Sequence, residues 1–404
     1  MTTTPTHIIV GAGQAGAHAA IAMREAGFAG RIVLIGDEPH HPYERPPLSK
    51  EFLTAELEPP AALFHAVARY AERDIELLLG SPAIAIDPAA RLVTLRDGEQ
   101  LPYDRLLLTT GSRARHLAIP GGEDILYLRT LDDARGIRLR LSPALRLVCV
   151  GAGVIGLEIA SSARQRGCEV TVLEAAPGAM ARMLTPEMAA YMVRLHRARG
   201  VALHFNAGIS AIIEKAVICA DGAIPADCVI AGIGVIRNTE LAATADIAID
   251  GGIIVDEFGR TNQPDIYAAG DVAAFWHPLL HRRLRLESWR HAQNHGIAVG
   301  RVMAGVEQPY DDIPWFWSDQ HGVNLQVAGL PDQASHTVLR GDPGAPSFAA
   351  FHLDLENHVI GATGINAPRE VRAAQAMIRA GKAVDPTELG DPHVQLQRLV
   401  AALR

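Results

Sequence analysis

Two glycine-rich turns carry the residues whose types and spacing point most directly to chemistry. Gly11, Gly13 and Gly16 lie in Gly11-Ala12-Gly13-Gln14-Ala15-Gly16, and Gly151, Gly153 and Gly156 lie in Gly151-Ala152-Gly153-Val154-Ile155-Gly156. In this spacing the first glycine turns the chain sharply, the second lets the backbone approach a pyrophosphate, and the third lets a helix pack closely on a strand. The phosphates then meet free N–H groups at a helix N-terminus. Asp37 and Glu174 follow the two turns, each placed for its carboxylate to accept hydrogen bonds from ribose hydroxyls. One such turn alone is equally a structural turn. Two copies, each in the order strand, turn, helix, strand and acid, imply two dinucleotide sites in one protein. Hydride passes between a nicotinamide and a flavin in many enzymes, so the economical assignment is one site for each.

The elements that position these residues follow from hydrophobic period and turn chemistry. Residues 8–10 and 32–35 read as buried strands flanking a helix over 17–25, and 147–150 and 170–173 repeat the pattern around a helix over 157–166. A proline-rich segment, 39–47, leads into Leu48-Ser49-Lys50, where Pro46 and Pro47 suit a helix start. Residues 60–73 read as a helix, 75–79, 84–87 and 92–95 as strands, and Asp97-Gly98 as a hairpin signal. The strand at 106–108 runs into the small-residue turn Thr109-Thr110-Gly111. Strands at 209–213, 216–219 and 228–233 resemble the first meander. Farther on, 266–272 carries Asp271 directly after a small-residue strand end, an acid that can reach a polar chain such as a ribitol, a helix cap being the alternative. Residues 290–303 have helical period, and their N-terminal end near Trp289 aims a positive dipole outward. From Pro314 the character changes to alternating strands and a terminal helix. The expected fold class is α/β, with two Rossmann-like dinucleotide-binding domains and an α+β C-terminal domain.

A chain of 404 residues can form two or three domains, and 49% apolar with 20% charged residues is ordinary for a soluble enzyme. The net charge of -8 argues against a general nucleic-acid binder. No apolar run approaches the roughly 20 residues of a membrane span, and residues 1–6 lack the features of a signal peptide. The expected location is the cytoplasm. Cys149, Cys168, Cys219 and Cys228 form no CxxC pair and are expected to be small buried apolar residues in a reducing compartment. His40, His41 and His277 have no ligand spacing with cysteine or carboxylate, so they are expected at the surface and no metal site is expected.

Taken together, Gly11 to Gly16, Arg45-Pro46-Pro47-Leu48-Ser49-Lys50, Thr109-Thr110-Gly111, Gly151 to Glu158, residues 266–272 and Trp315-Phe316-Trp317-Ser318-Asp319-Gln320 give the chain its family likeness. Over its whole length it resembles the FAD-dependent ferredoxin reductases of the glutathione-reductase fold that serve aromatic-ring dioxygenases and bacterial cytochromes P450. The resemblance implies an FAD domain split into 1–113 and 238–314, an NAD domain at 114–237, and a C-terminal domain at 315–404. It implies FAD contacts from Gly11, Gly13, Gln14, Ala15, Gly16, Asp37, Arg45, Lys50, Ala83, Thr110, Gly111, Arg129, Asp271 and Trp289. On the NAD side it implies Gly151, Gly153, Val154, Ile155, Gly156, Glu158, Glu174 and Gly234. Lys50, Glu158 and Trp317 form the implied catalytic set, with Lys50 and Glu158 an ion pair beside the flavin N5.

Residue chemistry sharpens these expectations. The Glu174 carboxylate would repel a 2′-phosphate: unit charges about 4 Å apart at a dielectric near 20 interact by roughly 4 kcal/mol. Ala175-Ala176-Pro177 supplies no compensating cation, so NADH is expected over NADPH, with Arg182 leaving slow NADPH use open. Disulfide reductases of this fold carry CxxxxC where this chain has Pro46-Pro47-Leu48-Ser49-Lys50-Glu51. Electrons are therefore expected to leave the flavin directly, to a [2Fe-2S] ferredoxin. Arg282, Arg283, Arg285 and Arg290 form a basic cluster that suits an acidic ferredoxin or is simply a solvated loop. A quinone or small-acceptor reductase or oxidase is the alternative function, and a redox-signalling NADH-binding flavoprotein a third. A monomer or weak dimer is expected.

Overall fold

Ile8-Ile9-Val10 and Ile32-Val33-Leu34-Ile35 are unbroken apolar runs, as strands covered on both faces require, and they pair in parallel with Val10 beside Ile35. The computed structural model describes residues 4–403. These fall into two compact units, one drawn from 4–44, 61–113 and 235–312 and the other from 45–60, 114–234 and 313–403.

In the first unit a five-stranded parallel sheet runs Ile266–Ala268, Arg105–Leu108, Thr6–Val10, Arg31–Ile35, Ile75–Leu78. Ile9, Ala20, Met23, Leu34, Leu107, Val299 and Met303 form one buried cluster. Helices Gln14–Glu25 and Trp289–Met303 pack against each other. A Cβ at Gly296 or Gly300 would strike the carbonyl oxygen of Ala15 or Ala19, so the two backbones touch. An antiparallel meander, Ala83–Asp87, Leu92–Leu95 and Gln100–Pro102, closes its second hairpin through Asp97-Gly98.

The helix expected over 60–73 is Val67–Glu72 alone. Residues 61–64 instead follow the extended 42–44 backbone, where Glu44 N–H donates to Ala62 O at 2.7 Å and Tyr43 bridges Leu63. His277 is buried, not at the surface. Alternation on strand Ala273–His277 turns it inward with Phe275, and its Nε2 lies 3.0 Å from Asp312 O. His40 and His41 are half-buried.

In the second unit the parallel sheet runs Val201–His204, Glu169–Leu173, Arg146–Val150, Cys228–Ala231, Leu126–Tyr127. The three-stranded meander Ile209–Ile213, Ala216–Cys219, Gly222–Pro225 accompanies it. The C-terminal part is an antiparallel sheet in the order Trp315–Gln320, Val323–Gly329, Val359–Ile365, Phe348–Leu353, His336–Arg340. Helix Pro368–Ala380 covers it through Val371, Ala374 and Met377. The segment 45–60, which the sequence puts with 1–113, packs in this second unit. Buried Leu48, Phe52 and Leu53 tie it there, and helix Glu51–Thr54 lies against helices Leu131–Arg140 and Val154–Gln165.

Candidate functional site

The first glycine turn is built by sterics. Gly11 has φ +116°, donates its N–H to Ile35 O at 2.8 Å, and would strike the Thr109 carbonyl if it carried a Cβ. Thr109 Oγ1 donates to Gly11 O at 2.8 Å and closes the turn. A Cβ at Gly13 would meet nothing within 4 Å. Gly13 is the N-cap of helix Gln14–Glu25, and the first turn holds no acid. An uncapped helix N-terminus opening on free space fits a pyrophosphate.

Several expected residues converge on this turn. A Cβ at Gly270 would lie 2.9 Å from the Ala15 methyl, so Gly270 and its neighbour Asp271 stand beside the turn. Ser112 Oγ lies 3.4 Å from Asp271 Oδ2, and Arg237 Nε donates to Asp271 O at 2.9 Å. Thr110 Oγ1 donates to Asn238 O at 2.6 Å, and Asn238 N–H donates to Gly111 O at 3.0 Å. Gln14 Nε2 donates to Gln293 Oε1 at 3.0 Å, joining the first turn of one packed helix to the second turn of the other. Trp289 opens the second of these helices after the N-cap Ser288. Asp37 is exposed beyond strand Arg31–Ile35, and Ala83 heads the meander.

The second turn repeats the design. Gly151 has φ +99° and donates to Leu173 O at 2.7 Å, while a Cβ at Gly153 would meet only Gly232 O, at 3.9 Å. The Glu174 carboxylate accepts Ala152 N–H at 2.6 Å through Oε2 and Ala176 N–H at 2.8 Å through Oε1. That fixes the acid against the turn. A Cβ at Gly234 would lie 3.6 Å from Arg182 Nη2. Helix Val154–Gln165 starts at Val154, so Glu158 is on its second turn, and Ile155 is 40% exposed.

Glu158 is only 3% exposed, and a buried carboxylate is tolerated only when paired and hydrogen-bonded. It has three donors in this unit. Lys50 Nζ lies 2.9 Å from Oε2, Ser49 Oγ donates to the same oxygen, and Ser318 Oγ donates to Oε1 at 2.6 Å. Lys50 Nζ also donates to Pro46 O at 3.1 Å. Lys50 has φ −119° and ψ −110°, at the break between the 3₁₀ turn Pro46–Ser49 and helix Glu51–Thr54. That break directs Ser49 and Lys50 to one carboxylate, and Ser162 Oγ holds Ser49 O at 2.6 Å. Arg45 donates to Arg129 O in the same unit.

Trp317 is not part of this cluster. Alternation along Trp315–Gln320 buries Ser318 and Gln320 on one face and leaves Trp315, Trp317 and Asp319 on the other. The Trp317 indole stacks on Trp315 at 5.4 Å and donates to Asp319 Oδ2 at 3.0 Å. Ser49, Ser318 and Gln320 lay inside motifs visible in the sequence but had no role assigned to them. His196, buried on helix Pro186–Ala198, gave no signal at all. In the arginine cluster, Arg282, Arg283 and Arg285 are exposed, yet Arg283 Nη1 is committed to Val255 O and Ala274 O at 3.0 and 2.8 Å.

Residues 5–296 match the family described as pyridine nucleotide-disulphide oxidoreductase. The chain belongs to that family. Residues 315–400 of this oxidoreductase match the reductase C-terminal family, and the α/β fold class expected from the sequence holds. The chain is similar, at 39% identity over 395 residues covering 96% of it and 97% of the relative, to the ferredoxin–NAD(+) reductase component of the p-cumate 2,3-dioxygenase system of Pseudomonas putida. The corresponding component of the anthranilate 1,2-dioxygenase system of Burkholderia cepacia is 40% identical over 401 residues, 96% of this chain and 98% of the relative. Among solved structures, the putidaredoxin reductase of a covalent complex with putidaredoxin superposes with a TM-score of 0.96 at 35% identity, covering 100% of this chain and 99% of that one.

Despite the family's name, segment 45–60 holds no thiol. Cys149, Cys168 and Cys228 are free and buried, and burial raises the Cys228 thiol to about 11. Cys219 is half-buried, against expectation, because it ends a strand of the outlying meander. Among the described residues no helix is long and apolar enough to cross a membrane.

Proposed function

We propose that this oxidoreductase passes electrons from NADH through FAD, one at a time, to a [2Fe-2S] ferredoxin that feeds an oxygenase. The observation that carries this reading is the Lys50–Glu158 pair, 2.9 Å apart, in the motif where disulfide-reducing members of the fold need thiols and this chain has none. The two uncapped, open glycine turns support one dinucleotide each. The first, with Gly11, Gly13, Gln14, Ala15, Gly16, Asp37, Thr110, Gly111, Asp271 and Trp289, together with Ala83 and with Arg45, Lys50 and Arg129, is assigned to FAD. The second, with Gly151, Gly153, Val154, Ile155, Gly156, Glu158, Glu174 and Gly234, is assigned to NADH. FAD, when bound, supplies the conversion between hydride and single-electron chemistry.

The protein's own groups supply the rest. Lys50 presents a positive charge held by Glu158, a preorganised electrostatic arrangement needing no reorientation during reaction. Glu174, immobilised by two backbone N–H groups, suits a ribose diol and disfavours a 2′-phosphate, and Arg182 leaves slow NADPH use open. The domain assignment we propose is 1–113 with 238–314 for FAD, 114–237 for NAD, and 315–404 C-terminal. Arg282, Arg285 and Arg290, with Arg283 contributing less, are the proposed ferredoxin-docking charges, on a cytoplasmic monomer or weak dimer.

The deciding experiment compares NADH-driven cytochrome c reduction with and without ferredoxins encoded beside this protein. Strong dependence on one ferredoxin supports the reading. Fast turnover on quinone or oxygen with no protein partner replaces it with the small-acceptor function.

A further inference from the structure

Glu158 ends a longer buried string of hydrogen bonds. Ser318 Oγ accepts from Gln320 Nε2 at 2.8 Å, Gln320 Oε1 lies 2.8 Å from His196 Nε2, and His196 Nδ1 lies 3.2 Å from His321 Nε2. Ser318, Gln320 and His196 are at most 1% exposed and His321 is 9% exposed.

With both imidazoles held neutral by burial, the pattern admits one arrangement of hydrogens. Glu158 is paired with the Lys50 ammonium and accepts, so the single Ser318 hydroxyl hydrogen points to it and the Ser318 oxygen accepts from the Gln320 amide. Gln320 therefore offers its carbonyl to His196, which must carry its hydrogen on Nε2. His196 Nδ1 is then bare, and His321 must also carry its hydrogen on Nε2. Every donor along the string points toward Glu158.

His321 is held in place at a conformational cost. It has φ +53° in the two-residue turn His321-Gly322 that joins Trp315–Gln320 to Val323–Gly329. Asn, Asp and Gly are favoured at such positions, and a strained non-glycine residue persists only where its surroundings determine it. Its backbone N–H donates to Ser161 Oγ at 2.8 Å. Ser161 lies three residues after Glu158 on one helix, so both ends of the string grip the same helical face.

We propose that Ser318, Gln320, His196 and His321 are positioning residues that fix the Glu158 carboxylate in its orientation toward Lys50. Packing alone would require neither a single hydrogen polarity nor a histidine in a left-handed turn. The inference rests on the function proposed above, in which the Lys50–Glu158 pair conditions the reaction.

The test uses the FAD-loaded full chain and three variants, Ser318→Ala, Gln320→Leu and His321→Asn. Asparagine suits the left-handed turn, so His321→Asn removes the ring without straining the backbone. Nitrogen NMR of histidine-labelled protein should show both rings with hydrogen on Nε2. In stopped flow, Ser318→Ala should slow flavin reduction at saturating NADH by about tenfold while the NADH dissociation constant stays within about twofold, the signature of a lost orienting contact. Gln320→Leu and His321→Asn should give progressively smaller losses in rate, each with a shifted flavin midpoint potential. An Nδ1–H tautomer in either ring overturns the proposal, as do variants that melt earlier with unchanged reduction rates and potentials. Failure of the functional reading shows separately, as a wild-type chain that NADH does not reduce, since the tautomers are read from unreacted protein.

Discussion

Glu174 Oε2 accepts the backbone N–H of Ala152 at 2.6 Å, which ties the acid at the end of strand Glu169–Leu173 to the second glycine turn. A Glu174→Gln replacement keeps an acceptor for that N–H and removes the charge. The ratio of kcat/KM for NADPH over NADH should rise at least about tenfold, the part of the Coulomb repulsion that survives solvent screening. An unchanged ratio, measured under identical salt, would remove Glu174 as the selector.

Lys50 is one of three donors to a carboxylate that is 3% exposed. Lys50→Ala should therefore lower stability by about 1–3 kcal/mol in urea titration, the cost of under-satisfying a buried charge. The same variant should slow flavin reduction by NADH by an order of magnitude or more. Full-speed reduction in stopped flow would sink the catalytic assignment.

Gly296 faces the Ala15 carbonyl with no room for a methyl group. Gly296→Ala should force the helices Gln14–Glu25 and Trp289–Met303 apart and cost about 1–3 kcal/mol, as overpacking does elsewhere. An unchanged melting temperature would contradict the backbone contact.

Burial, the first cause in each case, lowers His7, His291 and His352 to about 4. The unfolded chain takes up protons near 6.5 while the folded one does not, so the stability these rings contribute is fully present above 6.5 and is lost as pH falls toward 4. Each should remove about 2 kcal/mol between pH 7.5 and pH 5. Chemical denaturation across that range should show the decline, and His352→Gln should make it shallower by one proton. A pH-independent midpoint would mean these rings are not buried neutral.

Arg282 and Arg285 are exposed. If they dock an acidic ferredoxin, an Arg282→Glu, Arg285→Glu double variant should raise the KM for ferredoxin about tenfold, and the wild-type rate should fall as ionic strength rises. NADH-to-ferricyanide turnover should be unaffected. A flat salt response argues against electrostatic docking there.

The parallel sheets, both glycine turns and the C-terminal change of character were legible because apolar runs, turn glycines and strand alternation are local signals. Lys50 and Glu158 were paired through the family resemblance, being 108 residues apart, a separation that no periodicity spans. Residues 61–64 misled because their helical composition was overruled by a backbone partner at 42–44. Ser49, Ser318 and Gln320 stood in view yet silent, since a serine acquires a role only from what it faces. His196 was illegible for a stronger reason: its partners Gln320 and His321 come from a hairpin more than a hundred residues later.

The first unit is assembled from 4–44, 61–113 and 235–312, and the last of these stretches follows the others only after residues 114–234 of the second unit. Strand Ile266–Ala268 and helix Trp289–Met303, which complete the sheet and cover the alanine face of Gln14–Glu25, are therefore made last. At ribosomal speeds of about 5–20 residues per second, the early strands and their helix wait on the order of tens of seconds for these partners. Throughout that interval the Arg105–Leu108 edge and an alanine-rich helix face stand uncovered on the nascent chain. That exposure ends only when the residues up to Met303 have left the ribosome and can pair and pack.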